Sequence, residues 1–221
     1  MRSFWTEPFL WIHLAGFFAI PLCVLVCLLG LAVGTPLLPP SLEVLLIALA
    51  GTGPVLAMQW FRPFYIFGAL FVATNPDRLT LDQRRLLSLL KTRDQRVLAA
   101  VAAALLLVPL WFLYQWAPVA ALATPFPQVR LLGLLVAALA FLGCNLFLLL
   151  PVNVARLMLT KDDTFAATEP YPADLIRRDF TIFGFQLRSV LPPLTTSVSK
   201  QTPASVVKEP PTTPPETPAS S

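Results

Sequence analysis

The stretch from Leu131 to Ala155, LLGLLVAALAFLGCNLFLLLPVNVA, contains no Lys, Arg, Asp or Glu and is bracketed by Arg130 and Arg156. A helix crosses the hydrocarbon core of a bilayer with about 20 predominantly apolar residues, and this run is long enough to do so. Three other stretches, 8–42, 44–61 and 97–129, are equally free of those four residue types. Across the chain 56% of residues are hydrophobic and 13% charged, with a mean hydropathy of +0.71. A soluble surface needs more charge than that. The fold class read from the sequence is an all-α integral membrane protein: four transmembrane helices as two hairpins, with a disordered C-terminal tail.

The spans are placed at about 9–33, 42–61, 97–116 and 131–156, within a transmembrane domain covering 1–160. In the first, Pro21 is expected to kink the helix, while Gly16, Gly30 and Gly34 allow close helix approach. A Thr35–Ser41 turn follows, with Ser41 as a candidate N-cap. The second apolar stretch, 42–73, would be about 48 Å long as one helix, too long for a core of roughly 30 Å. Two interruptions resolve this. Gly51, Gly53 and Pro54 are expected to break the helix near mid-depth, and Arg62-Pro63 to end it. Phe64 to Phe67 would then lie along the interface.

Charge orients the chain. The segments 34–43 and 118–129 carry no Lys or Arg, whereas 74–96 carries Arg78, Arg84, Arg85, Lys91, Arg93 and Arg96. By the positive-inside rule the 74–96 loop and both termini are cytoplasmic. Thr80 and Gln83 fit a capping box opening an amphipathic helix of about 81–91, with Leu86, Leu87 and Leu90 toward the bilayer. Arg84 and Arg85 would meet anionic headgroups there. This distribution accounts for the net charge of +4 without invoking nucleic acid. An internal repeat pairs Ile20-Pro21-Leu22 and Thr35-Pro36 with Val108-Pro109-Leu110 and Thr124-Pro125.

Residues 161–194 read as a cytoplasmic docking segment, with a Tyr171-Pro172 turn, a short helix near 174–179 and an apolar stretch from Phe180 to Leu187. Residues 195–221, rich in Pro, Thr and Ser, cannot bury a core and are expected to be disordered.

Chemistry-bearing residues are sparse. His13, the single histidine, is a candidate ligand for a chlorophyll magnesium, weighed against an interfacial histidine bonded to a neighbour. Arg62 and Arg156 end the second and fourth spans, where a long cation can reach headgroups or a partner. Glu7 and Glu43 stand alone, with no basic partner at helical spacing. Gln59 and Asn145 read as amides that join helices. Cys23, Cys27 and Cys144 have no metal-ligand company. The signatures of nucleotide-binding loops, zinc proteases and serine hydrolases are absent from the sequence, so no catalytic or metal-binding residue is assigned and no enzyme is expected.

Several segments carry a family likeness. Phe4-Trp5 with Glu7-Pro8-Phe9-Leu10-Trp11-Ile12-His13-Leu14-Ala15-Gly16 is the first, and Cys27 to Gly34 the second. Arg62-Pro63-Phe64-Tyr65-Ile66-Phe67 and Phe165 to Pro172 complete the set. Over about 1–194 the chain resembles the cyanobacterial low-complexity tail membrane protein family, whose variable tail gives it its name. The resemblance implies a cyanobacterial thylakoid or plasma membrane, and an auxiliary part in photosystem II assembly. It brings no catalytic residues. The function expected is a non-enzymatic accessory protein that contacts membrane lipids and a larger membrane complex. A small transporter or channel using the break at Gly51, Gly53 and Pro54, and a pigment-binding protein using His13, are the alternatives.

Overall fold

Four helices cross the bundle in the computed structural model, which describes residue 5 and residues 7–69, 72–182 and 185–187. The expected disorder of 195–221 and the last residues of the 161–194 segment lie outside the described residues. The spans run Pro8–Leu31, Pro40–Phe61, Arg93–Ala123 and Arg130–Met158.

The prolines explain the local shape of each span. Pro21 has no N–H for the Phe17 carbonyl one turn earlier, and the first span tightens to a 3-10 turn over Gly16–Ala19 just before it. The third span repeats this. Its α-helix pauses at Leu106, three residues before Pro109, and resumes at Leu107. It then continues as 3-10 helix over Ala117–Ala123, farther than the expected end at 116. Pro118 lies in the first turn of that segment, where a missing donor costs little.

The second span departs from expectation. It is one unbroken α-helix from Pro40 to Phe61, and Gly51, Gly53 and Pro54 lie inside it. Pro54 withholds only the donor for the Ala50 carbonyl, and the packing of Gly51 against the fourth span holds the helix on course. Pro39 precedes the helix and no side chain caps it, so Ser41 sits within its first turn.

The fourth span is the hub: the first, second and third spans all pack on it, the first two along much of its length. Glycines set the separation. A Cβ on Gly30 would lie 2.8 Å from the Ala137 nitrogen, and one on Gly133 would lie 2.5 Å from Val33 Cβ. A Cβ on Gly51 would come within 2.6 Å of Phe141 Cδ1. Backbones can approach this closely only without side chains between them. The two hairpins of the sequence are therefore joined by inserting the fourth span against both arms of the first hairpin. Cys27 and Cys144 lie in that interface with Cys23 packed beside them.

A folded cap closes the end that carries the basic loop. Phe64 to Phe67 is almost wholly buried, and Tyr65, Ile66 and Phe67 pack with Phe9, Leu86, Leu157, Ile176 and Phe180. The segment is thus core rather than an aromatic belt on the membrane surface. Its backbone finds partners, which is why it can be buried: the Tyr65 N–H donates to the Thr181 carbonyl at 3.1 Å, and the Phe67 carbonyl accepts the Thr74 N–H at 2.9 Å. Next along the chain, Gly68–Ala69 (β1) pairs antiparallel with Val72–Thr74 (β2), and Phe185–Leu187 (β3) joins β2 in parallel. The Thr80–Gln83 capping box forms as expected, starting the Leu81–Leu90 helix.

Candidate functional site

At the opposite end of the bundle, four spans contribute to one buried polar cluster. Glu43 is in the first turn of the second span and Arg130 opens the fourth. Their side chains are 0% and 5% exposed and form an ion pair. The Arg130 Nε donates to Glu43 Oε1 at 3.2 Å, and an Nη2 hydrogen goes to Glu43 Oε2. The phenol of Tyr114, from the third span, donates to Glu43 Oε2 at 2.9 Å.

The remaining contacts reach the first span and its turn. Arg130 Nη1 donates to the carbonyls of Leu31 at 2.6 Å and Val33 at 2.9 Å. Leu31 ends a helix, whose last carbonyls otherwise lack partners, and Val33 lies in the turn just past it. Glu43 Oε1 accepts the Leu37 N–H at 2.9 Å. Gly34, with φ of +63°, turns the chain sharply enough for its N–H to reach Gln128 Oε1 at 2.9 Å. A buried charge is tolerable only when it is paired and its hydrogen bonds are met. Here one acid and one base meet those terms together.

Sequence reasoning left Glu43 as an isolated acid and took Arg130 as the start of a span. The structure corrects this: they are partners. A signal existed. Glu43 is the one charged residue between positions 8 and 61, and Arg130 the one between 97 and 155.

The other end is fastened by backbone acceptors and a second network. Arg62 follows the last residue of the second span, and its Nη2 donates to the carbonyls of Arg177 at 2.9 Å and Phe180 at 3.1 Å. Thr181 Oγ1 returns a bond to the Arg62 carbonyl at 2.7 Å. Lys91 Nζ donates to the Tyr171 hydroxyl and to Asp179 Oδ2, both at 2.7 Å, while the Tyr171 hydroxyl donates to Asp179. Hydrogen bonds from Lys91, then Tyr171 and Arg178, hold the Asp179 carboxyl well below the usual carboxylate range. Burial works against the Lys91 ammonium, but Asp179 and Tyr171 outweigh it and raise its pKa. Ser88 Oγ reaches the Glu169 carbonyl at 2.7 Å. The Glu169-to-Pro172 turn is thereby tied to the Leu81–Leu90 helix.

The other singled-out residues are more dispersed. His13 is buried, with Nδ1 2.6 Å from the Phe9 carbonyl and its ring edge-on to Phe64. That leaves Nε2 as the ring atom for any axial ligation. Arg156 pairs with Asp94 at 2.8 Å and Arg85 with Asp82 at 3.0 Å, both partly open to the surroundings. Arg84 is half-buried beside Arg85. Gln59, Gln95 and Asn153 are buried in the second, third and fourth spans, and Gln95 Nε2 donates to the Asn153 carbonyl at 3.3 Å. Asn145 bonds its own helix at the Phe141 carbonyl, 3.0 Å away. Gly51 is filled by Phe141, whereas Gly53 has no atom within 4 Å of its would-be Cβ. Among the described residues, no group of three His, Cys, Asp or Glu side chains is arranged to hold a metal ion.

Comparison with known proteins gives one match. The model of the low-complexity tail membrane protein-like family covers residues 6–192. No curated protein and no solved structure matches the chain.

Proposed function

Because the chain belongs to the low-complexity tail membrane protein-like family, we propose that it is a non-enzymatic accessory protein whose second span docks on a helix of a larger membrane complex. The carrying observation is the outward notch at Gly53. Gly16, Gly30, Gly51, Gly133 and Gly143 all meet a neighbour within 4 Å, but Gly53 meets none. Ala50, Gly53, Pro54 and Ala57 are exposed at helical spacing along one face, flanked by the exposed Leu46, Leu49 and Trp60. Small residues on a membrane-facing stripe let a second helix approach closely. Pro54 also withholds the usual donor for the Ala50 carbonyl on that face, and an unpaired carbonyl in hydrocarbon is costly. A partner helix with a hydroxyl at the crossing would satisfy it.

In this reading the basic cap faces the cytoplasm, supported by the six Lys and Arg residues of 74–96. The cap and its 161–182 segment give the partner complex a folded polar surface. The family likeness suggests the specific setting, a cyanobacterial membrane and an auxiliary part in assembling photosystem II. The unbroken second helix removes the feature on which a transport path was premised.

Affinity purification in mild detergent tests the proposal, comparing the native chain with Gly53→Leu. The native chain should carry one larger membrane complex in fixed proportion, and Gly53→Leu should lose it while keeping its thermal stability. Recovery of the native chain alone would overturn the reading.

A further inference from the structure

Two clefts follow one another between the first and third spans. The first, of about 270 Å³, lies between Val24 and Leu28 on one side and Pro109 and Leu113 on the other. The second, of about 260 Å³, lies between Leu31 and Ala32 and the facing Ala117 and Ala121. Val24, Leu28, Leu31 and Ala32 follow one helix face, as do Pro109 and Leu113, and Ala117 and Ala121 lie on the 3-10 continuation of the third span. The second cleft therefore continues the first toward the end of the bundle that holds the ion pair. Together they fall within the roughly 300–1,000 Å³ typical of small-ligand sites.

The two clefts differ in chemistry. The first is walled by aliphatic and aromatic side chains at hydrocarbon depth. The second has Arg130 and Tyr114 in its wall and Thr35 at its rim. Arg130 has five N–H donors, of which Glu43 takes two and the Leu31 and Val33 carbonyls take two more. The last Nη2 hydrogen lies against the Tyr114 hydroxyl, so the exposed Thr35 hydroxyl at the rim is the donor open to a ligand. Glu43 cancels the charge of the guanidinium, so the cleft offers a hydrogen bond without a net positive field. That combination suits a neutral carbonyl oxygen better than a carboxylate or phosphate.

We propose that the paired cleft is a lipid-binding site. A glycerolipid places an ester carbonyl on the Thr35 hydroxyl and lays its acyl chain between Leu28 and Leu113. The headgroup stays outside, beyond Thr35. The site uses the first and third spans and the docking notch uses the second, so either reading can fail alone.

Native mass spectrometry of the full chain, released from nanodiscs of dioleoyl phosphatidylcholine, tests this. One phosphatidylcholine should stay with each chain after bulk lipid is stripped. Leu28→Trp fills the apolar cleft and should lower retention at least ten-fold. Leu22→Trp, at an exposed position of the same span, should leave it unchanged. Labelling of the native chain by a phosphatidylcholine with a photoreactive acyl chain keeps the test decisive if Leu28→Trp misfolds. Label should concentrate at Leu28 and Leu113 over the outward Leu45 and Leu49. No retained lipid, or even labelling across all these positions, would overturn the proposal. So would a ten-fold preference for phosphatidylglycerol, because an anionic head requires an Arg130 that Glu43 has not neutralised.

Discussion

The Glu43 carboxylate and the Arg130 guanidinium form a buried ion pair at the end of the bundle where the sequence places no other charge. Each residue starts a span, one in each hairpin. Arg130 also supplies donors to the last carbonyls of the first span, and Tyr114 adds the third. The pair thus fixes how the two hairpins register, and its value lies in specifying one arrangement rather than in net stabilisation.

Breaking the pair from one side should be severe. Arg130→Leu leaves Glu43 buried without a counter-charge, a loss of about 3–5 kcal/mol. Glu43→Leu should cost a similar amount. The double variant Glu43→Leu/Arg130→Leu should recover much of it. Unfolding of the purified chain by denaturant in detergent measures this, and additive single losses would show that the two residues do not act as a pair.

Gly51 and Gly53 should behave oppositely although they are two residues apart. Gly51→Ala drives a methyl against Phe141 and the Leu142 backbone, with an overpacking cost of about 1–3 kcal/mol. Gly53→Ala meets open space and gains up to about 1 kcal/mol of helix propensity. Thermal midpoints of the two variants check this. Equal destabilisation would mean that the second helix is not continuous through this region.

The Lys91–Tyr171–Asp179 network should be insensitive to pH across the neutral range. The Asp179 carboxyl is lowered, so its contribution is complete above the ordinary carboxylate value of about 4. It is lost only as pH falls through the lowered value. Lys91 is raised, so its contribution is complete below the ordinary value of about 10.4 and fades as pH rises through the raised one. Tryptic cleavage at Arg177 and Arg178, normalised to a model peptide, should therefore be constant from pH 6 to 9 in the native chain. Asp179→Asn should speed it about ten-fold throughout.

Arg62→Ala should free the same segment by another route. The substitution removes the donor to the Arg177 and Phe180 carbonyls without touching the Lys91 network. Hydrogen exchange should then rise at 176–182, and the four spans should keep their protection. Unchanged exchange at 176–182 would show that Arg62 does not hold the segment.

What was legible in the sequence was whatever the bilayer dictates locally. Twenty-odd apolar residues between charges define a span whatever its neighbours do, and Thr80 with Gln83 caps a helix through short-range bonds alone. What was not legible depends on tertiary partners. Phe64 to Phe67 looks interfacial until Thr181, more than a hundred residues later, pairs with Phe64 and accepts the Tyr65 N–H. Gly51 and Pro54 look like a break until Phe141 is seen filling Gly51. Arg62 looked like a headgroup anchor, whereas its acceptors are carbonyls near residue 180. The Glu43–Arg130 pair is hidden because helical spacing relates residues within one span, and these partners lie 87 positions apart.

Photo-cross-linking in native membranes, from a reactive side chain placed at Ala57 beside the Gly53 notch, tests whether the second span docks on a partner. Docking gives one discrete adduct with a subunit of a larger membrane complex, lost when Gly53→Leu is added and absent when the probe is moved to the outward Leu139 of the fourth span. Adducts with lipid alone, or the same protein adduct from both positions, would contradict it.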